Sequence, residues 1–129
     1  MNDDTETKSI KIDSERITFT CKELDVTIIE IKPNLDYINY FLELDNNINQ
    51  NEETLSNYYD KHSIYTLHYL KGEKVLVSYG LLHHIKEKEL YHTCNTDQGS
   101  SGSPIISLNS FKVLGIHYGS SKFDFNKGF

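Results

Sequence analysis

Thr96–Ile105 reads TDQGSSGSPI and Gly115–Gly119 reads GIHYG, and the order and spacing of these two stretches decide how the rest of the chain is read. Ser101 lies between Ser100 and Gly102, with Gly99 two residues before it and a candidate strand starting at Pro104. A nucleophilic serine has to be exposed on a tight turn, and backbone N–H groups must converge on the oxyanion that forms after attack. Glycine supplies both conditions. Without a Cβ, Gly99 lets the chain bend so that its own N–H and that of Ser101 aim at one spot, and Gly102 relieves crowding behind the serine. The pattern predicts Ser101 as nucleophile, with the Gly99 and Ser101 amides as its oxyanion hole.

Outward from that turn the chain reads as short strands. PIISLN (104–109) and KVLGIHYG (112–119) form a hairpin around NSF, and KELYHTCN (88–95) leads into the glycine-serine turn. SIYTLHYL (63–70) and KVLVSYGLL (74–82) read as strands joined through KGE, where Gly72 suits a tight hairpin. In the N-terminal part, RITFTCKEL contains an edge strand, and DVTIIEIKP (25–33), β-branched and stopped by Pro33, reads as a buried strand. YINYFLELD (37–45) reads as a further strand, and the polar stretch 46–62 as a connecting loop. With no helical period recognised, the expected fold class is all-β, a barrel or sandwich.

The run Gly-x-Ser-Gly-Ser-Pro, followed by a strand, a turn and GIHYG, resembles the active-site segment of trypsin/chymotrypsin-like serine peptidases. An α/β-hydrolase elbow would need Gly-x-Ser-x-Gly, but position 103 is serine and no helix pattern follows. The resemblance implies a chymotrypsin-like double β-barrel, present incompletely. Residues 1–48 would be the remnant of the N-terminal barrel, 49–62 the connection, and 63–129 the C-terminal barrel. That second barrel would stop at FDFNKGF, before the last strand and a C-terminal helix. A complete double barrel takes roughly 200–250 residues, so a fragment or degraded copy is expected. Asp25, heading the apolar strand VTII, matches the family's triad aspartate, whose part is to hold the histidine tautomer and stabilise the imidazolium.

The triad histidine is missing from its expected place. It should precede Asp25, yet the six histidines, His62, His68, His83, His84, His92 and His117, all follow it. His62, His68, His83 and His84 lie in or near strands, where packed or solvated imidazoles are the ordinary explanation. His83 and His84, being adjacent on a strand, would point to opposite faces, so no metal and no cofactor is expected. The 129-residue chain is therefore expected to label poorly with a serine-reactive fluorophosphonate.

His117 sits in the strand that, in the resembled family, lines the primary specificity pocket. Bacterial glutamyl endopeptidases carry a histidine there, helped by a hydroxyl residue that Thr96 would match. This hints at an acidic substrate side chain, with Tyr118 and Gly119 pairing to the substrate backbone. Ser100 stands where secreted zymogens keep an activating acid. Together with the acidic N-terminus and two cysteines, Cys21 and Cys94, read as free thiols, this suggests an intracellular protein. Further domains in a longer parent protein are possible on this reading.

Composition narrows the partners. A net charge of −6 gives no basis for nucleic-acid binding. Hydrophobic residues at 37% and charged residues at 25%, with no apolar run near the about 20 residues that span a bilayer, exclude a membrane helix. A peptide or protein substrate is the expected partner. Two function classes follow: a serine endopeptidase domain working through an acyl-enzyme, or a pseudoprotease that keeps the groove and binds peptides by strand addition.

Overall fold

The computed structural model describes residues 9–69, 74–120 and 125–129. It contains two compact units, Met1–Phe41 and Leu42–Phe129. The expected hairpin turn at Gly72 lies outside the described residues.

In the N-terminal unit, β1 (Thr18–Cys21) and β2 (Val26–Ile29) pair antiparallel, from Thr18 opposite Ile29 to Cys21 opposite Val26. Both strands were expected, but the burial of VTII was not realised: Ile28 is 59% exposed and Phe19 60%. β-branched residues extend the backbone, whereas burial needs a second layer that a two-stranded ribbon does not supply. The unit is tied by Arg16, whose guanidinium forks onto both oxygens of Asp36 at 2.7 and 2.8 Å and also donates to the Lys11 and Glu30 carbonyls. That pairing raises the Arg16 pKa and lowers that of Asp36. Asp36 ends α1 (Pro33–Asp36), a single turn entered at Pro33 and closed by Tyr37 at φ 53°.

Residues 37–45 are not the strand expected. Tyr37 at its start is left-handed at φ 53°, and the one ladder contact of the stretch among the described residues is a parallel bridge from Leu44 to Val113, too little partner for a strand. Nor are residues 46–62 a loop. They hold a 3₁₀ turn (Asn46–Asn49) and α2 (Glu52–Tyr59). Asn51 caps α2 by accepting the Thr54 amide at 2.9 Å, and Glu52 and Glu53 complement the helix dipole. Leu55 and Tyr59, one turn apart, both enter the core.

The second unit is a closed antiparallel barrel. Its strands are β3 (His62–Tyr69), β4 (Val75–Lys86), β5 (Glu89–His92), β6 (Pro104–Ser107), β7 (Val113–Ser120) and β8 (Asn126–Gly128), in the order β3-β4-β5-β8-β7-β6. Period-2 alternation sends Ile64, Leu82, Leu90, Ile105 and Leu114 inward, where they meet Leu55 and Tyr59. β4 turns into β5 through Glu87 and Lys88, both at positive φ (52° and 68°), the backbone of a two-residue hairpin loop.

The stretch FDFNKGF, expected to stop before the last strand, itself holds one: Asn126–Gly128 lies between β5 and β7 and closes the barrel. Phe129 then exchanges backbone bonds with Ile116 at 2.8 and 3.0 Å. On the outer face Lys127 reaches Glu89 of β5 at 2.8 Å, and Glu89 also accepts the hydroxyls of Tyr91 and of Tyr118 on β7. These donors hold the Glu89 pKa down to about 2.

Gly115, which opens GIHYG, lies where a Cβ would collide with the Phe129 carbonyl and the Leu90 side chain. Backbone on one side and core on the other cannot both yield. Gly115→Ala is expected to lower stability by about 1–3 kcal/mol, measured as a drop in the urea midpoint. An unchanged midpoint would mean that β8 does not seat against β7 in this way.

Candidate functional site

The TDQGSSGSPI turn is fixed to β7 by its backbone. The Gly102 amide donates to the His117 carbonyl and the His117 amide to the Ser103 carbonyl, both at 2.8 Å, so the two sequence motifs are bonded to each other. Within the turn Ser100 N–H donates to Asp97 at 3.0 Å and Ser103 N–H to Ser100 at 3.2 Å. Gly99 at φ 95° and Gly102 at φ 87° occupy the left-handed region for which glycine suits the chain. The amides of Gly99 and Ser101 make no hydrogen bond among the described residues. Ser101 is exposed, and its Oγ lies 3.4 Å from the Tyr118 carbonyl.

Its neighbour Ser100 turns the other way. It is fully buried, 2.7 Å from Nδ1 of His68, and its Oγ accepts the Asp97 amide at 3.2 Å. His68 belongs to the inward face of β3 with Ile64 and Thr66, and His92 to the inward face of β5 with Leu90. His92 Nε2 stands 3.3 Å from His117 Nδ1, their rings meeting edge to face. Burial, and then the nearby His117, push His92 down to about 4, and burial lowers His117 as well. Burial thus favours the neutral form of both His92 and His117.

A cleft of about 300 Å³ runs between β4 and the strand end before the turn, lined by His68, Leu76, Val77, Ser78, Asn95, Thr96 and Asp97. Thr96 therefore opens on the same space as His68. His117, at 4% exposure, does not line it. Tyr118 and Gly119 lie beyond the end of the β6–β7 ladder, whose last pair is Pro104 opposite Ile116. From there β7 has β8 as its one strand partner among the described residues. A Cβ on Gly119 would meet no atom within 4 Å.

Asp25 belongs to the N-terminal unit. It is exposed in the β1–β2 turn at φ 52°, one residue ahead of β2. Among the described residues no histidine bonds Ser101. His62 bonds Ser107 at 2.8 Å. The opposite-faces argument for His83 and His84 fails, because a β-bulge between Leu82 and His84 turns both outward with Nδ1 atoms 3.0 Å apart. Among the described residues no cluster of three metal-ligating side chains occurs. Cys21 and Cys94 are both free, and burial pushes the Cys94 thiol up to about 12.

With this geometry the sequence profile of one peptidase family, Peptidase S39, matches residues 2–128. The chain belongs to the peptidase S39 family. This is a chymotrypsin-fold family of serine and cysteine proteases. Solved structures similar to the S39 chain agree on the fold. Tobacco vein mottling virus protease matches with TM-score 0.53 and 19% identity, over 81% of this chain and 46% of that one. Catalytically active tobacco etch virus protease complexed with product gives 0.53 and 18%, over 89% and 48%. An inactive mutant form of Rv3671c from M. tuberculosis H37Rv gives 0.51 and 17%, over 68% and 45%. The S39 chain spans about half the length of each of these. No curated protein sequence matches it. Among its described residues no helix is long and apolar enough to cross a membrane.

Sequence reasoning gave Ser100, His68 and His92 no part in the site, although a packed imidazole was the reading of His68. A signal existed for the two histidines, since each falls at the inward position of an alternating strand, in register with Ile64 or Leu90. Buried bases with lowered pKa make the S39 chain acid-sensitive. The unfolded chain takes up protons below about 6.5 while folded His92 resists until about 4, so stability is full above that window and falls through it. Thermal melts across pH 8 to 4 should show this loss, and His92→Gln should shrink it. A flat profile would contradict neutral burial.

Proposed function

We propose that this chain is the nucleophile-bearing and substrate-reading part of a serine-type endopeptidase. The observation that carries the reading is the bonding of the Ser101 turn to β7, with Ser101 exposed and the Gly99 and Ser101 amides without a hydrogen bond among the described residues. Ser101 attacks the scissile carbonyl, and those two amides receive the oxyanion as charge develops. Asp25 orients the general base, a histidine supplied from outside these 129 residues. The substrate backbone adds to the edge of β7 at Tyr118 and Gly119. A serine-reactive fluorophosphonate should modify Ser101 in a protein that joins this chain to a histidine-bearing first barrel, and Ser101→Ala should abolish the labelling. Labelling that survives Ser101→Ala would remove Ser101 from the nucleophile's role.

The hint of an acidic substrate side chain changes on this reading. Thr96 and the imidazole of His68 line the cleft, and in the barrel interior burial favours the neutral form of His117 and its neighbour His92. A carboxylate brought there lacks a cationic partner, whereas a carboxamide can both donate and accept. The preferred side chain is therefore glutamine-like at neutral pH. Product peptides ending in Gln or Glu, titrated into the 129-residue chain at pH 7.5, measure this directly, with the Gln peptide expected to bind more tightly. Equal binding of the Glu peptide at pH 7.5 would refute the neutral-imidazole account.

A pseudoprotease that only binds peptides is the second reading. It draws on the fact that no described histidine bonds Ser101. It predicts the same peptide binding with no labelling in the joined protein.

A further inference from the structure

Ser100 precedes the exposed Ser101 yet is 0% exposed itself, with its hydroxyl 2.7 Å from His68 Nδ1. Its side chain faces the barrel interior and so has no substrate to act on. The hydroxyl also accepts the Asp97 amide at 3.2 Å. One proton arrangement satisfies all three groups: Asp97 N–H donates to Ser100 Oγ, and Ser100 O–H donates to His68 Nδ1. The imidazole is then neutral, with its proton on Nε2. That nitrogen makes no hydrogen bond among the described residues and is not buried without a partner, and His68 lines the open cleft beside Thr96 and Asp97.

The backbone bonds from Gly102 and Ser103 hold the turn to β7 on one side. The Asp97–Ser100–His68 chain holds it to β3 on the other. A turn with two left-handed glycines is soft, and bonds on one side alone leave it free to rotate about Gly99. Fixing Ser100 inward makes the next residue face outward and keeps the Gly99 and Ser101 amides together.

We propose that His68 is a positioning residue for Ser101, acting through the buried Ser100 hydroxyl to hold the turn of residues 97–103 in the geometry that forms the oxyanion site. This rests on Ser101 being the nucleophile, but its test does not. Amide hydrogen exchange of the 129-residue chain reads the turn directly, with the barrel amides of Thr66 and Ile105 as internal controls. Asn at position 68 can present an acceptor where Nδ1 stands, whereas Leu cannot.

His68→Leu and Ser100→Ala are expected to speed exchange at Ser100 and Ser103 by at least about tenfold, while Thr66 and Ile105 keep their protection. His68→Asn should restore slow exchange at Ser100 and Ser103. Unchanged turn protection in His68→Leu and Ser100→Ala would overturn the proposal. So would equal loosening of turn and barrel in both variants, or an Asn variant as fast as the Leu variant. Because no outcome depends on catalysis, failure here is separate from failure of Ser101 to label, which would sink the nucleophile reading alone.

Discussion

Closure of the barrel is the constraint on which the rest of this molecule depends. A strand of three residues, Asn126–Gly128, completes the ring between β5 and β7. Without it two sheet edges would stand open, an arrangement prone to pairing with other chains. So short a strand has few ladder bonds, and the structure adds to them. Phe129 bonds Ile116 in both directions, Lys127 pairs with Glu89, and the Phe129 ring stacks on Tyr118 at 4.1 Å. Gly115 belongs to the same requirement, since its missing side chain is what lets the end of the chain approach β7.

β7 carries consequences of closure into the site. Held by β8 along one edge, it offers the His117 carbonyl and amide to the Ser101 turn along the other. The turn's inner side meets β3 through Ser100 and His68. Strand closure, turn geometry and the exposure of Ser101 are thus linked by a short run of bonds. The linkage also explains why imidazoles occupy the interior. His68 and His92 replace apolar side chains at inward positions, His92 at a cost in acid stability, and in return place hydrogen-bonding nitrogens behind the turn and behind β7.

The N-terminal unit follows a different logic. Its ribbon leaves large apolar side chains such as Phe19 and Ile28 exposed, and its order comes from Arg16 gripping Asp36 together with two carbonyls. A guanidinium suits that task because its donors are fixed in one plane. Asp25 at the ribbon's turn adopts φ 52°, a conformation aspartate tolerates better than most residues.

Local chemistry was legible in the sequence. The glycine-serine turn, GIHYG, the strands flanking them and the all-β class follow from glycine's conformational freedom, period-2 patterning and β-branched runs, which act within a few residues. The cap of α2 was equally local: Asn51, then two glutamates, then Leu55 and Tyr59 one turn apart spell a helix, and the polar composition of the stretch hid it. Other features depended on residues far apart in the chain. That FDFNKGF supplies the closing strand, that a bulge brings His83 beside His84, and that Ser100 meets His68 are outcomes of barrel geometry. Such contacts are set by which backbone edges remain to be paired and which inward positions face one another. The sequence alone determined Ser101 on its glycine turn, and tertiary structure decided what holds that turn, because only a closed barrel brings β3, β7 and the turn within hydrogen-bond reach.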